Sequence, residues 1–212
     1  MKNNLKGIKS IIFDLDGTLW DPTETSLKAW HKALNHISYI EKPISKEDLQ
    51  GVMGLQHDLV GTRLFPYLTK EQQSEIIELC YDEEINSIKE TGGDLYDNLE
   101  ETIKILSQKM DLYIVSNCQS GYIEAFYEFH GLEKYFTDHE CSGNTKQTKG
   151  ENIHSIIERN KLTDPVYIGD TPGDFTATKE NKIPFIFASY GFGKVKDADY
   201  KIDSIKSLTE LF

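Results

Sequence analysis

Four aspartates lie directly behind short apolar runs of the sequence. Asp14 and Asp16 follow one such run, and Asp170 and Asp174 follow another. Two like charges 4 Å apart repel by roughly 4 kcal/mol at an effective dielectric constant near 20, so carboxylates brought together need a cation. Mg²⁺ held by a few carboxylates and by substrate phosphate oxygens is a common solution. The four aspartates therefore predict a Mg²⁺ site suited to chemistry on a phosphate group.

Three further polar residues could bind the oxygens of that phosphate group. Ser116 and Asn117 follow the apolar run 112–115, and Lys149 precedes a segment with helical spacing. A local cation is needed because the chain carries a formal net charge of −12, which repels anions. Lys146 is an alternative to Lys149. We favour Lys149 because it directly precedes a predicted helix N-terminus, where anions bind favourably.

The elements that must position these residues follow from hydrophobic spacing. Short apolar runs without helical period predict buried parallel strands. A last strand is predicted before a closing helix at 204–212. Segments with helical period, such as the one holding Leu99, Ile103 and Leu106, lie between the runs. Alternating strands and helices predict an α/β fold, a doubly wound, Rossmann-like parallel sheet that binds ligands at the carboxyl ends of its strands. The predicted strands are 8–13, 112–115, 166–168, 185–187 and 198–202.

One long segment interrupts this alternation. Residues 21–90 have helical character throughout, with helix-start signals at Asp21 and Thr69. We therefore predict a helical domain at 21–90, inserted into an α/β core formed by 1–20 and 91–212.

Composition excludes several classes of function. The net charge of −12 argues against nonspecific nucleic-acid binding, which requires clustered Lys and Arg. No apolar run approaches the roughly 20 residues that cross a bilayer, and the first ten residues lack the pattern of a signal peptide. The three cysteines are odd in number and form no CxxC pair, so free thiols are expected. We expect a cytoplasmic protein with no nucleic-acid or membrane partner.

Four short motifs together carry a family resemblance. The chain resembles the phosphatase branch of the haloacid dehalogenase superfamily, which includes phosphoglycolate phosphatases and β-phosphoglucomutases. The helical insertion after the first motif is similar to the small helical cap of that family, and the resemblance extends over essentially the whole chain. The motifs, in order, are Asp14-x-Asp16-Gly17-Thr18, Ser116, Lys149 and Gly169-Asp170-x-x-x-Asp174.

The resemblance implies a division of labour between the two aspartates of the first motif. Asp14 would be the nucleophile that forms an aspartyl-phosphate, which divides one difficult step into two. Asp16 would protonate the leaving alkoxide and then deprotonate the attacking water. The substrate would be a small phosphorylated metabolite.

The resemblance also implies the ligands of the metal and of the phosphate. Mg²⁺ would be held by Asp14, by the backbone carbonyl of Asp16 and by Asp170, with Asp174 close by. Substrate phosphate would be bound by Ser116 and Lys149, with a further contact from Asn117.

Other interpretations stay open at this point. A phosphosugar mutase needs a cap histidine and a cap arginine, but the matching positions hold Ser26 and Gly54, which favours a hydrolase. A regulatory protein with low turnover is a second alternative. Asp174 could instead cap the helix that follows it. Arg63, the only arginine in the helical segment, would suit a second anionic group on a substrate, although a surface position is favoured.

Overall fold

The computed structural model describes Leu5 and residues 7–212, apart from the side chains of residues 57 and 58. The strands are β1 (Ser10–Phe13), β2 (Trp20–Asp21), β3 (Asp94–Leu95), β4 (Asp111–Ser116), β5 (Asp138–Cys141), β6 (Pro165–Gly169), β7 (Phe185–Ala188) and β8 (Tyr200–Ile202). The helices are α1 (Thr23–Leu34), α2 (Lys46–Gln50), α3 (His57–Leu64), α4 (Lys70–Thr91), α5 (Leu99–Ser107), α6 (Tyr122–His130), α7 (Ser142–Thr145), α8 (Lys149–Asn160), α9 (Pro172–Glu180) and α10 (Leu208–Leu211). Short 3₁₀ turns lie at Glu133–Tyr135 and Ile205–Ser207.

Six strands form one parallel sheet in the order β5-β4-β1-β6-β7-β8. The central strand β1 pairs with both β4 and β6, so that Phe13 lies between Ile114 and Ile168. The residues that follow these three strands therefore meet at one edge of the sheet. The predicted α/β fold with a doubly wound parallel sheet is confirmed.

Both faces of the sheet are covered by helices. Successive side chains of a strand point to opposite faces, and accordingly Ile11 and Phe13 belong to one hydrophobic cluster while Ile12 belongs to another. All three side chains are fully buried. Burial on both faces explains why this strand reads as a continuous apolar run.

The strand β5 has no counterpart among the predicted strands, because its sequence, Asp-His-Glu-Cys, is mostly polar. It lies at the edge of the sheet, where one side needs no partner strand. Arg159 on α8 forms ion pairs of 2.7 Å with both Asp138 and Glu140, which compensates the charge of these two side chains. The predicted closing helix is shorter than expected, since it consists of a 3₁₀ turn followed by α10.

The helices α1 to α4 lie between β2 and β3, which pair antiparallel where the chain leaves the sheet and returns to it. Their apolar side chains, such as Trp30, Phe65 and Ile76, form a hydrophobic cluster separate from the two clusters of the sheet. The long helix α4 packs against α1, α3 and also α6. Among the described residues, no helix combines the length and apolar character needed to span a membrane.

Candidate active site

Asp14 lies at the tip of the central strand, and the residue is only 2% exposed. Its backbone N–H donates to the carbonyl oxygen of Ile168 at 2.8 Å, which continues the ladder between β1 and β6. The Nζ of Lys149 lies 2.6 Å from an oxygen of Asp14 and 2.6 Å from an oxygen of Asp174. Lys146 is exposed and lines a different cavity. The structure therefore brings Lys149, and not Lys146, to Asp14.

Asp174 takes part both in a helix cap and in this cluster. Its Oδ2 accepts hydrogen bonds from the N–H and the hydroxyl of Thr171, at 2.9 and 2.7 Å, in a capping box at the start of α9. Its Oδ1 accepts from Lys149 and, at 3.3 Å, from the hydroxyl of Tyr167. The side chain therefore caps α9 with one oxygen and reaches Lys149 with the other.

Asp170 follows β6 and is held by the loop that follows β7, the neighbouring strand. Its Oδ2 accepts from the backbone N–H groups of Phe192 and Gly193, at 2.6 and 3.2 Å. Gly17 has φ +82°, and a Cβ there would collide with the Asp170 carboxylate, so the turn after Asp16 requires glycine. In the sequence, Gly191-Phe192-Gly193 follows a predicted strand, and we interpret it as a plain loop rather than as a border of the pocket. The structure instead places the backbone of this loop against Asp170.

Three of these carboxylates form a group that suits a divalent cation. Oxygen atoms of Asp14, Asp170 and Asp174 all lie within 4.8 Å of one another. Together with the ammonium of Lys149, these three carboxylates carry a net formal charge of −2. The buried Oδ1 of Asp170 has no hydrogen-bond partner among the described residues. An oxygen-binding dication would compensate this charge and coordinate the unpaired oxygen.

The side chain of Asp16 lies outside this group and contacts two aromatic residues, Trp20 and Tyr122. Its Oδ1 accepts from the indole Nε1 of Trp20 at 2.7 Å and from the hydroxyl of Tyr122 at 3.0 Å. Neither aromatic residue was predicted to belong to the site. Tyr122 is separated from Asp16 by more than one hundred residues, so no local pattern could have identified this contact.

Burial raises the pKa of three of the aspartates, Asp14, Asp16 and Asp170. It raises the pKa of Asp14 to about 7, with a further contribution from the Asp174 carboxylate. Burial also raises the pKa of Asp16 to about 7 and that of Asp170 to about 8. Burial lowers the pKa of Lys149, but the carboxylates of Asp14 and Asp174 outweigh it and hold that pKa above its ordinary value. Lys149 therefore stays charged at neutral pH.

The metal-free protein should lose stability as the pH rises from 5.5 to 8.5. A carboxyl group whose pKa is higher in the folded than in the unfolded state stabilises the fold below its unfolded pKa, near 4, and loses that contribution as the pH passes the folded pKa. This loss of stability extends to about pH 7 for Asp14 and to about pH 8 for Asp170. We expect the Tm, measured by circular dichroism in EDTA, to fall by on the order of 5–10 °C.

The variant Asp170→Asn provides the control for this pH dependence. Burial lowers the pKa of His130, which makes the stability of the fold rise with pH over part of the same pH range. This contribution is the same in the wild type and in the variant. The variant should therefore lose less stability than the wild type between the two pH values. Equal slopes in the two proteins would contradict the assignment of this effect to the carboxylate cluster.

The two predicted residues after β4 differ in their surroundings. Ser116 is buried, and its Oγ accepts from the N–H of Cys118 at 3.3 Å. The amide of Asn117 donates to the carbonyl oxygen of Gly54 at 2.8 Å and accepts from the hydroxyl of Ser142 at 2.9 Å. Asn117 thus joins the sheet edge to the helical segment.

A cavity of about 60 Å³ lies between the sheet edge and the helical segment. Asp14, Asp16, Ser116 and Asn117 contribute to its lower wall. The helical segment supplies a mostly apolar upper wall that also contains the carboxyl group of Glu84. The described residues of that wall are Trp30, Leu49, Val52, Met53, Gly54, Leu55, Val60, Tyr81 and Glu84.

Comparisons with known proteins are consistent with this geometry. Residues 11–188 match the family model described as haloacid dehalogenase-like hydrolase. A phosphoglycolate phosphatase of Vibrio parahaemolyticus is 27% identical over 96% of this chain and 96% of its own length. One of Vibrio vulnificus is 25% identical with the same coverage. The solved structure of a haloacid dehalogenase-like family hydrolase from Streptococcus pneumoniae has a similar fold, with a TM-score of 0.82 and 21% identity over 96% of this chain and 97% of that one.

Proposed function

We propose that this chain, a phosphoric monoester hydrolase that belongs to the haloacid dehalogenase-like hydrolase family, is a Mg²⁺-dependent phosphatase. It would cleave a small phosphate ester through an aspartyl-phosphate on Asp14. The observation that carries this proposal is the arrangement around Asp14. One buried lysine lies 2.6 Å from it, and two further carboxylates lie within 4.8 Å of its own. A second aspartate, Asp16, follows two residues later and lines the same cavity as Asp14.

Asp14 is placed to act as the nucleophile. A carboxylate oxygen attacks phosphorus, the bond to the leaving alcohol breaks, and the phosphoryl group is carried on Asp14 until water removes it. The hydrogen bond from Lys149 orients the carboxylate and favours its ionised form. The support of β1 between two strands holds the nucleophile rigidly.

Asp16 is placed to act as the general acid and base. The pKa near 7 means that protonated and ionised forms are both populated at neutral pH. The protonated form gives its proton to the leaving alkoxide, and the ionised form then takes a proton from the attacking water. Trp20 and Tyr122 orient this side chain through their hydrogen bonds.

Asp14, Asp170 and Asp174 would hold the Mg²⁺ ion, together with the backbone carbonyl of Asp16. When bound, Mg²⁺ neutralises negative charge on the phosphoryl oxygens and orients them for displacement. The loop that holds Asp170 through Phe192 and Gly193 keeps its second oxygen directed at the cluster.

Ser116 and Lys149 would bind the remaining phosphoryl oxygens. Both side chains are buried, so their hydrogen bonds act in an environment that excludes bulk water and strengthens electrostatic interactions. Asn117 was predicted to contact phosphate. Its two hydrogen bonds support a different contribution, in which it anchors the helical segment above the substrate.

The helical segment 21–90 would act as a cap domain over the core formed by 1–20 and 91–212. Polar contacts between them include Asn117 to Gly54 at 2.8 Å, Gln119 to Glu84 at 2.8 Å and the ion pair of Lys89 with Glu128 at 3.2 Å. Caps of this kind open to admit substrate and close to exclude water from the reaction.

Steady-state hydrolysis of p-nitrophenyl phosphate tests the proposed function. We expect many turnovers per enzyme molecule in the presence of Mg²⁺, measured as released p-nitrophenolate. A single stoichiometric burst, or phosphate binding without release of product, would instead support a regulatory protein of low turnover.

The variant Lys149→Met should lower kcat by at least about a hundredfold, because it removes the cation that faces the developing charge. Lys146→Met is the matched control and should stay within about twofold of the wild type, since Lys146 is exposed and away from Asp14. Circular dichroism must accompany the rates, because the loss of a buried ion-pair partner also destabilises the fold. A larger loss of kcat in Lys146→Met than in Lys149→Met would show that Lys146, and not Lys149, is the phosphate-binding lysine.

A further inference from the structure

The upper wall of the catalytic cavity contains a buried acidic group that the proposed mechanism does not use. Glu84 on α4 is 6% exposed and lines the same cavity as Asp14 and Asp16. Its Oε2 accepts a hydrogen bond from the side chain of Gln119 at 2.8 Å. Carboxyl groups are almost never fully buried unless they are paired, and the pairing of Glu84 includes no cation among the described residues.

The charged groups in the described lining of the cavity are all acidic. Three carboxyl groups line it, those of Asp14, Asp16 and Glu84, and none of its described lining residues is Lys, Arg or His. Lys149 already pairs with Asp14 and Asp174. A second anionic group on a bound substrate would therefore lie beside Glu84 with no counter-charge in this wall.

Cations elsewhere in the helical segment lie outside this cavity. Lys70 lines a neighbouring cavity, together with Lys146 of the core. Arg63, which the sequence suggested for a second anionic group, is exposed and lines a third cavity together with Glu41 and Asp48. The surface position favoured for Arg63 is thus the one that the structure shows.

The rest of the wall suits a small organic group that bears a hydrogen-bond donor. Trp30 and Tyr81 lie edge to face, with ring centroids 6.0 Å apart, and both line the cavity beside Glu84. Aromatic faces together with a carboxyl group attract ammonium groups and also accommodate hydroxyl groups. Burial raises the pKa of Glu84 above its ordinary value, and the polar groups of Ser26, Gln119 and Trp30 only partly offset this rise. In its protonated form Glu84 still accepts a hydrogen bond from a substrate, and in neither form does it balance an anion.

We propose that the substrate is a phosphate monoester whose alcohol part carries a hydroxyl or ammonium group that reaches Glu84, and that carries no second anionic group. This inference rests on the proposed phosphatase function and specifies its substrate class. It separates the chain from the activity named for its phosphoglycolate phosphatase relatives, because phosphoglycolate carries a second anionic group and the described lining of the cavity offers that group no cation.

Three small esters of nearly equal size provide the test. Phosphoglycolate, 2-hydroxyethyl phosphate and O-phosphoethanolamine share a phosphate–O–CH₂ unit and differ only in the group attached to it, which is a carboxylate, a hydroxymethyl group and a protonated aminomethyl group. We expect kcat/KM for the hydroxyl and ammonium esters to exceed that for phosphoglycolate by at least about tenfold, the cost of one unpaired buried charged group. Phosphoglycolate as the best of the three would overturn the inference.

The variant Glu84→Gln examines the residue directly. It keeps the size and the contact with Gln119, and it should reduce the preference for the ammonium ester over phosphoglycolate by about tenfold. Glu75→Gln, an exposed position on the same helix, is the matched control and should leave the preference unchanged. Because each preference is a ratio within one protein, a general loss of active enzyme cancels. An unchanged ratio in Glu84→Gln would overturn the inference.

Two further measurements keep the outcomes distinct. Turnover of p-nitrophenyl phosphate, which lacks the terminal groups, reports on the phosphatase function alone, and its absence would remove that function and this inference together. If Glu84→Gln does not fold, as judged by circular dichroism, Glu84→Asp takes its place. That variant withdraws the carboxyl group by one methylene and should lower the hydroxyl and ammonium rates more than the phosphoglycolate rate. The reverse order would count against the inference.

Discussion

Replacing Asp14 with Asn is expected to lower kcat for p-nitrophenyl phosphate by at least about a thousandfold, because an amide cannot form the aspartyl-phosphate. The substitution leaves the shape of the side chain almost unchanged. It also retains an oxygen that can accept the hydrogen bond from Lys149, which measures 2.6 Å in the wild type.

The fold should survive this substitution. The pKa of Asp14 is raised to about 7 by burial and by the Asp174 carboxylate, which means that the folded protein disfavours the ionised form. A neutral Asn therefore removes an unfavourable buried charge, and the Tm at pH 8 in EDTA should not fall. Asp97→Asn, at an exposed position, is the control and should keep wild-type rates. Turnover near the wild-type rate in Asp14→Asn would exclude Asp14 as the nucleophile.

Removal of divalent cations is expected to have an effect of similar size. Three carboxylates and one ammonium leave an excess of two negative charges at the strand tips, and substrate phosphate adds more. Without a cation this repulsion opposes substrate binding. We expect dialysis against EDTA to lower the hydrolysis rate by at least about a hundredfold, and added Mg²⁺ to restore it.

Asp170→Asn provides the residue-level form of this test. Its Oδ2 is occupied by Phe192 and Gly193, whereas its buried Oδ1 has no partner among the described residues. An Asn can preserve the loop contacts through its carbonyl oxygen while it weakens metal binding. The Mg²⁺ concentration for half-maximal activity should rise by at least about tenfold, and the Mg²⁺-dependent increase in Tm should shrink. Metal-independent turnover in the wild type would contradict the metal proposal.

Much of the sheet could be predicted because each of its inner strands is marked locally. The apolar run before Asp14 and the run before Asp170 have the length and β-branched content of strands buried on both faces. Parallel strands end at one edge, so the positions of Asp14, Ser116 and Asp170 near one another followed from their places behind these runs. The edge strand β5 escaped this reasoning because its polar residues pair with Arg159 rather than with the core.

The sequence predicted part of what Lys149 and Asp174 do, and the structure supplied the rest. The start of a helix at Lys149 was visible in the sequence, but its distance from Asp14 depends on two elements separated by more than one hundred residues. The capping box that includes Asp174 is local, whereas its contact with Lys149 depends on how α8 and α9 approach the sheet.

By itself the sequence determined the family, the parallel sheet and the identity of the acidic groups at its edge, because these depend on spacing along the chain. Tertiary structure alone decided that Trp20 and Tyr122 hold Asp16, that a distant loop holds Asp170, and that Glu84 faces the cavity. Such contacts depend on side chains that meet only when separate elements pack, and the free energy of that packing is spread over the whole core. No short segment of the chain therefore carries a pattern that predicts them.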